Sequence, residues 1–107
     1  MAAPTLSFTG NSNQSDAVTI DNSTLVGLFI PDAFNGGSIT FDTSLDGDSY
    51  FPVEDGAGNA VTVVVGDPPC FVPVDFSNFL GVRYLKVTMN TNSNSNFSIT
   101  PAIRNMV

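Results

Sequence analysis

Five carboxylates cluster in the middle of the chain and are the residues most able to do chemistry: Asp42, Asp46, Asp48, Glu54 and Asp55. A glycosidase needs two carboxyl groups facing each other across a cleft, one of them with a raised pKa. Calcium prefers oxygen ligands, and Asp46 and Asp48 offer them two residues apart, but without the further ligands of an EF-hand loop. Glycines beside these residues favour simple turns. We expect solvated turns, with a calcium site and a glycosidase pair as alternatives.

The sequence lacks the residues that other common catalytic mechanisms need. The chain has no histidine, which excludes Ser–His and Cys–His nucleophile pairs and histidine-ligated metals. Its single cysteine, Cys70, lies between Pro69 and Phe71 with no neighbouring cation to stabilise a thiolate, so we expect a small buried apolar residue. No glycine-rich stretch has the lysine and helix of a phosphate-binding loop. The sequence therefore predicts a protein that is not an enzyme and binds no cofactor and no metal.

Composition narrows the choice of partners. A chain of 107 residues is one domain by size, and its formal charge of −7 with only three basic residues disfavours nucleic acid and anionic membrane surfaces. No apolar run is long enough to span a bilayer, and the first residues do not read as a signal peptide, which predicts a chain made in a cytoplasm. With 42% hydrophobic and 12% charged residues, the surface is expected to be covered in part by another chain, as in a homo-oligomer.

Short alternating segments predict strands throughout. The best is residues 84–89, where Leu85, Val87 and Met89 alternate with Tyr84, Lys86 and Thr88. Similar segments recur at intervals with Gly, Pro, Asn and Asp turns between them, and no amphipathic helix appears. This pattern predicts an all-β, two-sheet antiparallel β-sandwich, jelly-roll-like, with about 8–9 short strands. Residues 1–16 form an N-terminal arm or edge strand, and residues 17–107 form the sandwich domain.

Two segments have more apolar surface than one core-facing side needs. Leu6 and Phe8 share a face of the N-terminal segment, which is either a first edge strand or an arm that docks on a neighbouring subunit. In residues 24–30, Val26, Leu28 and Ile30 fall on one face and Leu25 and Phe29 on the other, with Gly27 between. A strand that is apolar on both faces is covered on both. The second cover is expected to be a loop or a subunit interface.

A sugar-binding surface is a further possibility. Tyr84 and Lys86 point outward from their strand, and Phe79 lies nearby in the sequence. Aromatic faces can stack on sugars, although aromatic residues in an all-β chain are more often part of the core. Carbohydrate binding by this strand is therefore an alternative hypothesis.

The order of features from residue 24 to residue 89 resembles a family of small structural proteins of tailed bacteriophages. Two motifs carry the resemblance: S-x-D-G-x-x-aromatic-x-P-V around Asp46, and F-x-G-x-R-Y-L-x-V around Arg83. The tryptophan usual in the first motif is Tyr50 or Phe51 here. The resemblance implies a β-sandwich on the exterior of a virion, either a capsid cement (decoration) protein or a module of a tail or head fibre.

The main functional prediction follows from this resemblance. It is a homo-oligomeric cement protein, a trimer or dimer, that is made in the host bacterial cytoplasm, binds the major capsid protein of the same phage and stabilises the shell from outside. The alternative is a tail or fibre module that binds a host receptor or surface carbohydrate. The candidate interface residues for such contacts are Leu6, Phe8, Leu25, Gly27, Phe29, Phe79, Arg83 and Tyr84.

Overall fold

Nine β-strands and one 3-10 turn make up the part of the chain that the structure, a computed structural model, describes: residues 5–20, 23–79 and 82–105. The strands are β1 (Leu6–Phe8), β2 (Val18–Thr19), β3 (Ser23–Ile30), β4 (Ser38–Ser44), β5 (Phe51–Pro52), β6 (Thr62–Val64), β7 (Cys70–Pro73), β8 (Tyr84–Met89) and β9 (Phe97–Asn105). The 3-10 turn is Phe76–Phe79. Within these ranges no helix has the length and apolar character needed to cross a membrane.

The strands form two antiparallel sheets. One has four strands in the order β1-β9-β3-β7, and the other has the order β2-β8-β4-β5, with β6 also paired to β4. The chain passes from one sheet to the other at most of its connections, as in a jelly roll. The prediction of an all-β, two-sheet antiparallel sandwich is confirmed.

The core lies between the inner faces of the two sheets. In β8 the predicted alternation is confirmed, because Leu85, Val87 and Met89 are buried while the residues between them are half-buried. Their cross-strand partners in β4 include Ile39 and Phe41, which are also buried. The four-stranded sheet contributes the opposite layer of the core through the buried residues Leu6, Phe8, Leu25, Leu28, Ile30, Phe97 and Ile99.

The N-terminal segment is built into the sandwich. Leu6 and Phe8 lie opposite Ile99 and Phe97 of β9 and are almost fully buried, at 0% and 2% exposure. The next residues cross to the other sheet, where the Ser15 N–H donates to the Val87 carbonyl (2.9 Å) and the Ser15 hydroxyl oxygen accepts from the Val87 N–H (3.0 Å). Residues 5–20 are therefore an edge strand and a connection between sheets. Leu6 and Phe8 are not available to dock on a neighbour.

A β-bulge in β3 explains why this strand looks apolar on both faces. The pairing with β9 shifts between Leu25 and Gly27, so that Val26 is an extra residue. An extra residue reverses the alternation of side chains between the two faces. Leu25 consequently joins Leu28 and Ile30 in the core, and all three are buried. The prediction that Leu25 shares a face with Phe29 is wrong for this reason.

Gly27 provides room for an aromatic side chain on the outer face of the four-stranded sheet. A Cβ atom at this position would lie 2.2 Å from Cζ of Phe71, so the Phe71 ring occupies the space above the glycine. Phe71 also meets its cross-strand partner Phe29, with ring centroids 4.7 Å apart. The outer side of β3 is thus partly covered by a side chain of β7.

Substituting Gly27 tests this contact. Gly27→Ala is expected to destabilise the protein by about 1–2 kcal/mol, since the new methyl group overpacks against Phe71. In a Phe71→Ala background the same change should be neutral or slightly stabilising, because alanine restricts the unfolded chain. Urea unfolding of the four proteins gives the coupling energy. An equal cost of Gly27→Ala in both backgrounds would show that the ring does not occupy this space.

Both sheets end in a strand that carries proline at its open edge. In β7, the Val74 N–H donates to the Val26 carbonyl (3.1 Å), so the alternate residue Pro73 directs its backbone nitrogen away from β3. In β5, the Val53 N–H donates to the Phe41 carbonyl (2.9 Å), which leaves the nitrogen of Pro52 on the outer side. Each edge therefore lacks one of the N–H groups that a further strand would need.

Candidate functional site

The turn between β4 and β5 is held by two side chains of its own. The Ser44 hydroxyl oxygen accepts from the backbone N–H groups of Asp46 (3.2 Å) and Gly47 (2.8 Å). The Asp46 carboxylate oxygen Oδ1 accepts from the Ser44 hydroxyl (2.9 Å) and from the N–H groups of Asp48 (2.8 Å) and Ser49 (3.1 Å). Gly47 has a φ of +84°, which a residue with a side chain rarely adopts. The predicted turn is confirmed.

This turn redirects Leu45. The N–H groups of Asp46 and Gly47 donate to the Ser44 hydroxyl oxygen and so do not continue the strand pairing. Strand β4 therefore ends at Ser44. Leu45 lies outside the strand and is 76% exposed. In the sequence, Leu45 continues the alternation of Ile39 and Phe41, which predicts that it lies in the core. This prediction is wrong because it assumes that the strand continues.

An open cavity of about 470 Å³ lies beside the turn. Its lining residues are Thr43, Ser44, Leu45, Asp46, Ser49, Phe51 and Val82. Phe51 is 64% exposed, so it presents an aromatic ring to whatever occupies the cavity. Apolar surface combined with a few polar groups in a cavity of this size is typical of small-molecule sites. We call this cavity the turn pocket.

Asp46 is the charged group of the turn pocket. Hydrogen bonds from the Asp48 N–H, the Ser49 N–H and the Ser44 hydroxyl hold the pKa of Asp46 below its ordinary value. Near the same turn, burial raises the pKa of the Tyr50 phenol, and Tyr84, Asp46 and Asp48 add to the rise. At neutral pH the pocket therefore carries an ionised carboxylate, and the Tyr50 phenol beside the turn is uncharged.

The outer face of β8 is occupied by contacts within the protein. Lys86 places its Nζ 4.3 Å from the centroid of the Tyr50 ring, and Tyr84 packs its ring over Gly47. Phe79, the third residue of the predicted sugar-stacking surface, is fully buried. The three residues do not come together into an open aromatic surface. That hypothesis is wrong in its choice of residues.

The five central carboxylates are spread over different surfaces. Asp42 faces outward from β4 and accepts from the Gln14 amide (3.0 Å) and the Thr88 hydroxyl (3.2 Å). Asp55 closes a separate turn by accepting from the Ala57 N–H (2.8 Å) and lines a different groove from Asp46. No paired carboxylates line the turn pocket. In the described ranges, no group of three or more acidic or cysteine residues is arranged to hold a metal ion.

The eight predicted interface residues fall into two groups. Leu6, Phe8, Leu25 and Phe79 are buried in the core, so they are corrected to structural residues, because a partner cannot reach them without unfolding the sandwich. The other four lie on two separate surfaces. Gly27 and Phe29 are on the outer face of the four-stranded sheet, whereas Arg83 is exposed beside the half-buried Tyr84 at the turn-pocket end of the other sheet. The predicted homo-oligomer stays a prediction.

The sequence does not indicate that Phe51 and Val82 line the turn pocket. Phe51 lies in the short strand β5, but period-two patterns do not tell whether a residue at the end of a strand is covered. Val82 follows the 3-10 turn and reaches the pocket only through the fold. The one sequence feature that points to the pocket is the turn of serine, aspartate and glycine after β4. This turn ends β4 early and leaves Leu45 and Phe51 exposed.

The two-sheet β-sandwich fold of this chain also occurs in other proteins of known structure. The structure is similar to CBM32-1, a carbohydrate-binding module from a family 31 glycoside hydrolase of Clostridium perfringens, with a TM-score of 0.55, 16% identity and coverage of 91% of this chain and 75% of that chain. CBM32-3 of a family 31 glycoside hydrolase from the same organism gives a TM-score of 0.48, 17% identity and coverage of 94% and 71%. No known protein family matches the sequence, and no curated protein does.

These similarities correct the main functional prediction. The cement-protein prediction rests on a resemblance to phage virion proteins, whereas the similar solved structure CBM32-1 is a carbohydrate-binding module. The prediction of a capsid cement protein is therefore wrong.

Proposed function

We propose that this protein is a non-catalytic carbohydrate-binding module and that the turn pocket is its binding site. The observation that carries the proposal is the exposed ring of Phe51 beside the hydroxyl and carboxylate groups of the turn. The fold similarity to CBM32-1 supports it, since that structure is a carbohydrate-binding module.

The chemistry of the pocket suits a sugar ring. A pyranose has one face of C–H groups that can pack on an aromatic ring, and Phe51 offers such a ring. Its hydroxyl groups need hydrogen-bonding partners, which the lining residues Asp46 and Ser49 can supply. Leu45 adds apolar surface next to these groups. The pocket therefore combines one stacking surface with several polar contacts.

The proposal includes no catalytic step. Glycoside hydrolysis requires two carboxyl groups on either side of the scissile bond. Asp46 supplies one carboxylate to the described lining of the turn pocket, and the second turn aspartate, Asp55, lines another groove. We therefore propose binding without bond cleavage.

Replacing Phe51 tests the proposal. Phe51→Ala is expected to weaken sugar binding by about tenfold or more, because the stacking surface is lost. A glycan array identifies ligands of the unmodified protein, and isothermal titration calorimetry then compares the variants. The melting temperature should change little, since the ring is mostly exposed.

Phe29→Ala is the matched control. Phe29 is also an exposed phenylalanine, at 53%, but lies on the outer face of the four-stranded sheet, away from the turn pocket. Its replacement should leave the affinity for sugar unchanged. Equal losses for the two variants would place the site elsewhere, and an array without any binding would refute the proposed function.

A further inference from the structure

We propose that Asp46 sets the charge preference of the turn pocket, so that it admits uncharged or cationic sugars and rejects sugars that carry a carboxylate. This inference rests on the proposed function, because it concerns the ligand class of the same site. Three observations on the charges and the exposed groups around the pocket support this inference.

The first observation is that no described lining residue of the turn pocket is cationic. The chain has only three cationic side chains, Arg83, Lys86 and Arg104. Lys86 lies over the Tyr50 ring, and Arg104 belongs to β9 in the other sheet. Arg83 follows the pocket residue Val82, but its guanidinium carbon lies 5.7 Å from the centroid of the Tyr84 ring. A sugar carboxylate in the pocket would thus meet no cation among the lining residues.

The second observation is that the negative charge of Asp46 is fixed in place. Its Oδ1 atom accepts three hydrogen bonds from the turn, and two of the donors, the Ser44 hydroxyl and the Ser49 N–H, belong to other lining residues. A carboxylate held this way cannot swing out of the pocket without breaking the turn. Its repulsion of an anionic ligand is therefore not relieved by rotation of the side chain.

The third observation is that most of the exposed surface that lines the pocket is apolar. Leu45 and Phe51 are its two exposed large apolar residues, at 76% and 64%. These apolar groups can pack against a sugar ring next to Asp46, where a carboxylate on the ligand would meet a like charge. The same carboxylate remains a good acceptor for sugar hydroxyl or ammonium groups.

Matched pairs of sugars test this preference. The probes are methyl β-D-glucopyranoside and methyl β-D-galactopyranoside, each paired with its uronic acid, which replaces only the CH₂OH group at C6 by a carboxylate. They are titrated into the ¹⁵N-labelled protein at low ionic strength and neutral pH, and the backbone amide shifts of residues 43–51 and 82 are followed. We expect at least one neutral probe to bind about fivefold or more tightly than its acid partner.

Asp46→Asn is the decisive variant. Asparagine keeps the Oδ1 acceptor that holds the turn but removes the charge, so the ratio of neutral to acidic affinity should fall towards one. Asp55→Asn is the matched control, because Asp55 Oδ1 holds a similar turn by accepting from the N–H groups of Ala57 and Asn59, outside the turn pocket. It removes the same net charge and should leave the ratio as in the unmodified protein.

The outcomes separate this inference from the proposed function. Shifts in the pocket with equal affinity for neutral and acidic probes, or an unchanged ratio in Asp46→Asn, would overturn the charge preference and leave sugar binding intact. A ratio that falls equally in both variants would show that net charge, not Asp46, is responsible. The absence of any shift in the pocket with all four probes would overturn both proposals.

Discussion

Phe79→Ala is expected to lower the free energy of unfolding by about 3–5 kcal/mol. The side chain is fully buried and meets Phe41 edge to face, with ring centroids 4.9 Å apart. Truncation leaves a cavity in the centre of the sandwich and removes this aromatic contact. Urea unfolding followed by circular dichroism measures the loss.

The result distinguishes a core residue from an interface residue. Phe51→Ala removes the same side chain from an exposed position and should cost less than about 0.5 kcal/mol. If the two variants were equally stable, Phe79 would not be in the core, and its interpretation as a contact residue would have to be restored.

Leu6→Ala is expected to lower the free energy of unfolding by about 2–5 kcal/mol. In a marginally stable domain this loss is enough to unfold a large share of the molecules. Leu6 is fully buried opposite Ile99, so the N-terminal strand contributes to the core. A docking arm would behave differently, because truncating an arm leaves the stability of the isolated chain unchanged. Thermal unfolding of the purified protein at several concentrations measures the effect.

Ser7→Ala is the control for this strand. Ser7 is the neighbour of Leu6 on the opposite face of β1, and its hydroxyl lies 3.1 Å from that of Ser98 in an exposed pair. Its loss should cost less than about 1 kcal/mol. A Leu6→Ala protein as stable as Ser7→Ala would contradict the placement of β1 in the core.

The fold class could be predicted because it depends on a strong local signal. The alternation in residues 84–89 is strict, and the structure places its apolar members in the core without exception. Such a signal requires only that the strand be regular. The bulge at Val26 breaks that condition. Gly27 is compatible with a bulge or with a close contact but does not say which neighbour is the extra residue, so the face of Leu25 could not be assigned from the sequence.

The candidate site was harder to predict than the fold. The turn around Asp46 was visible from its glycine and its acidic residues, but the consequence of that turn for Leu45 was not, because it follows from hydrogen bonds to Ser44. Val82 meets Leu45 and Phe51 in space only after both sheets have formed. A site assembled from a turn and a distant segment leaves no spacing pattern in the chain.

The outward-facing prolines of β5 and β7 bear on how the protein behaves when many copies crowd together. An open sheet edge is a template for strand exchange and fibre growth, a hazard that increases with concentration. Pro52 and Pro73 interrupt the row of donors on which such growth depends. A chain with few charged side chains can thereby reach high local concentrations while each copy keeps its own hydrogen-bonded sheets.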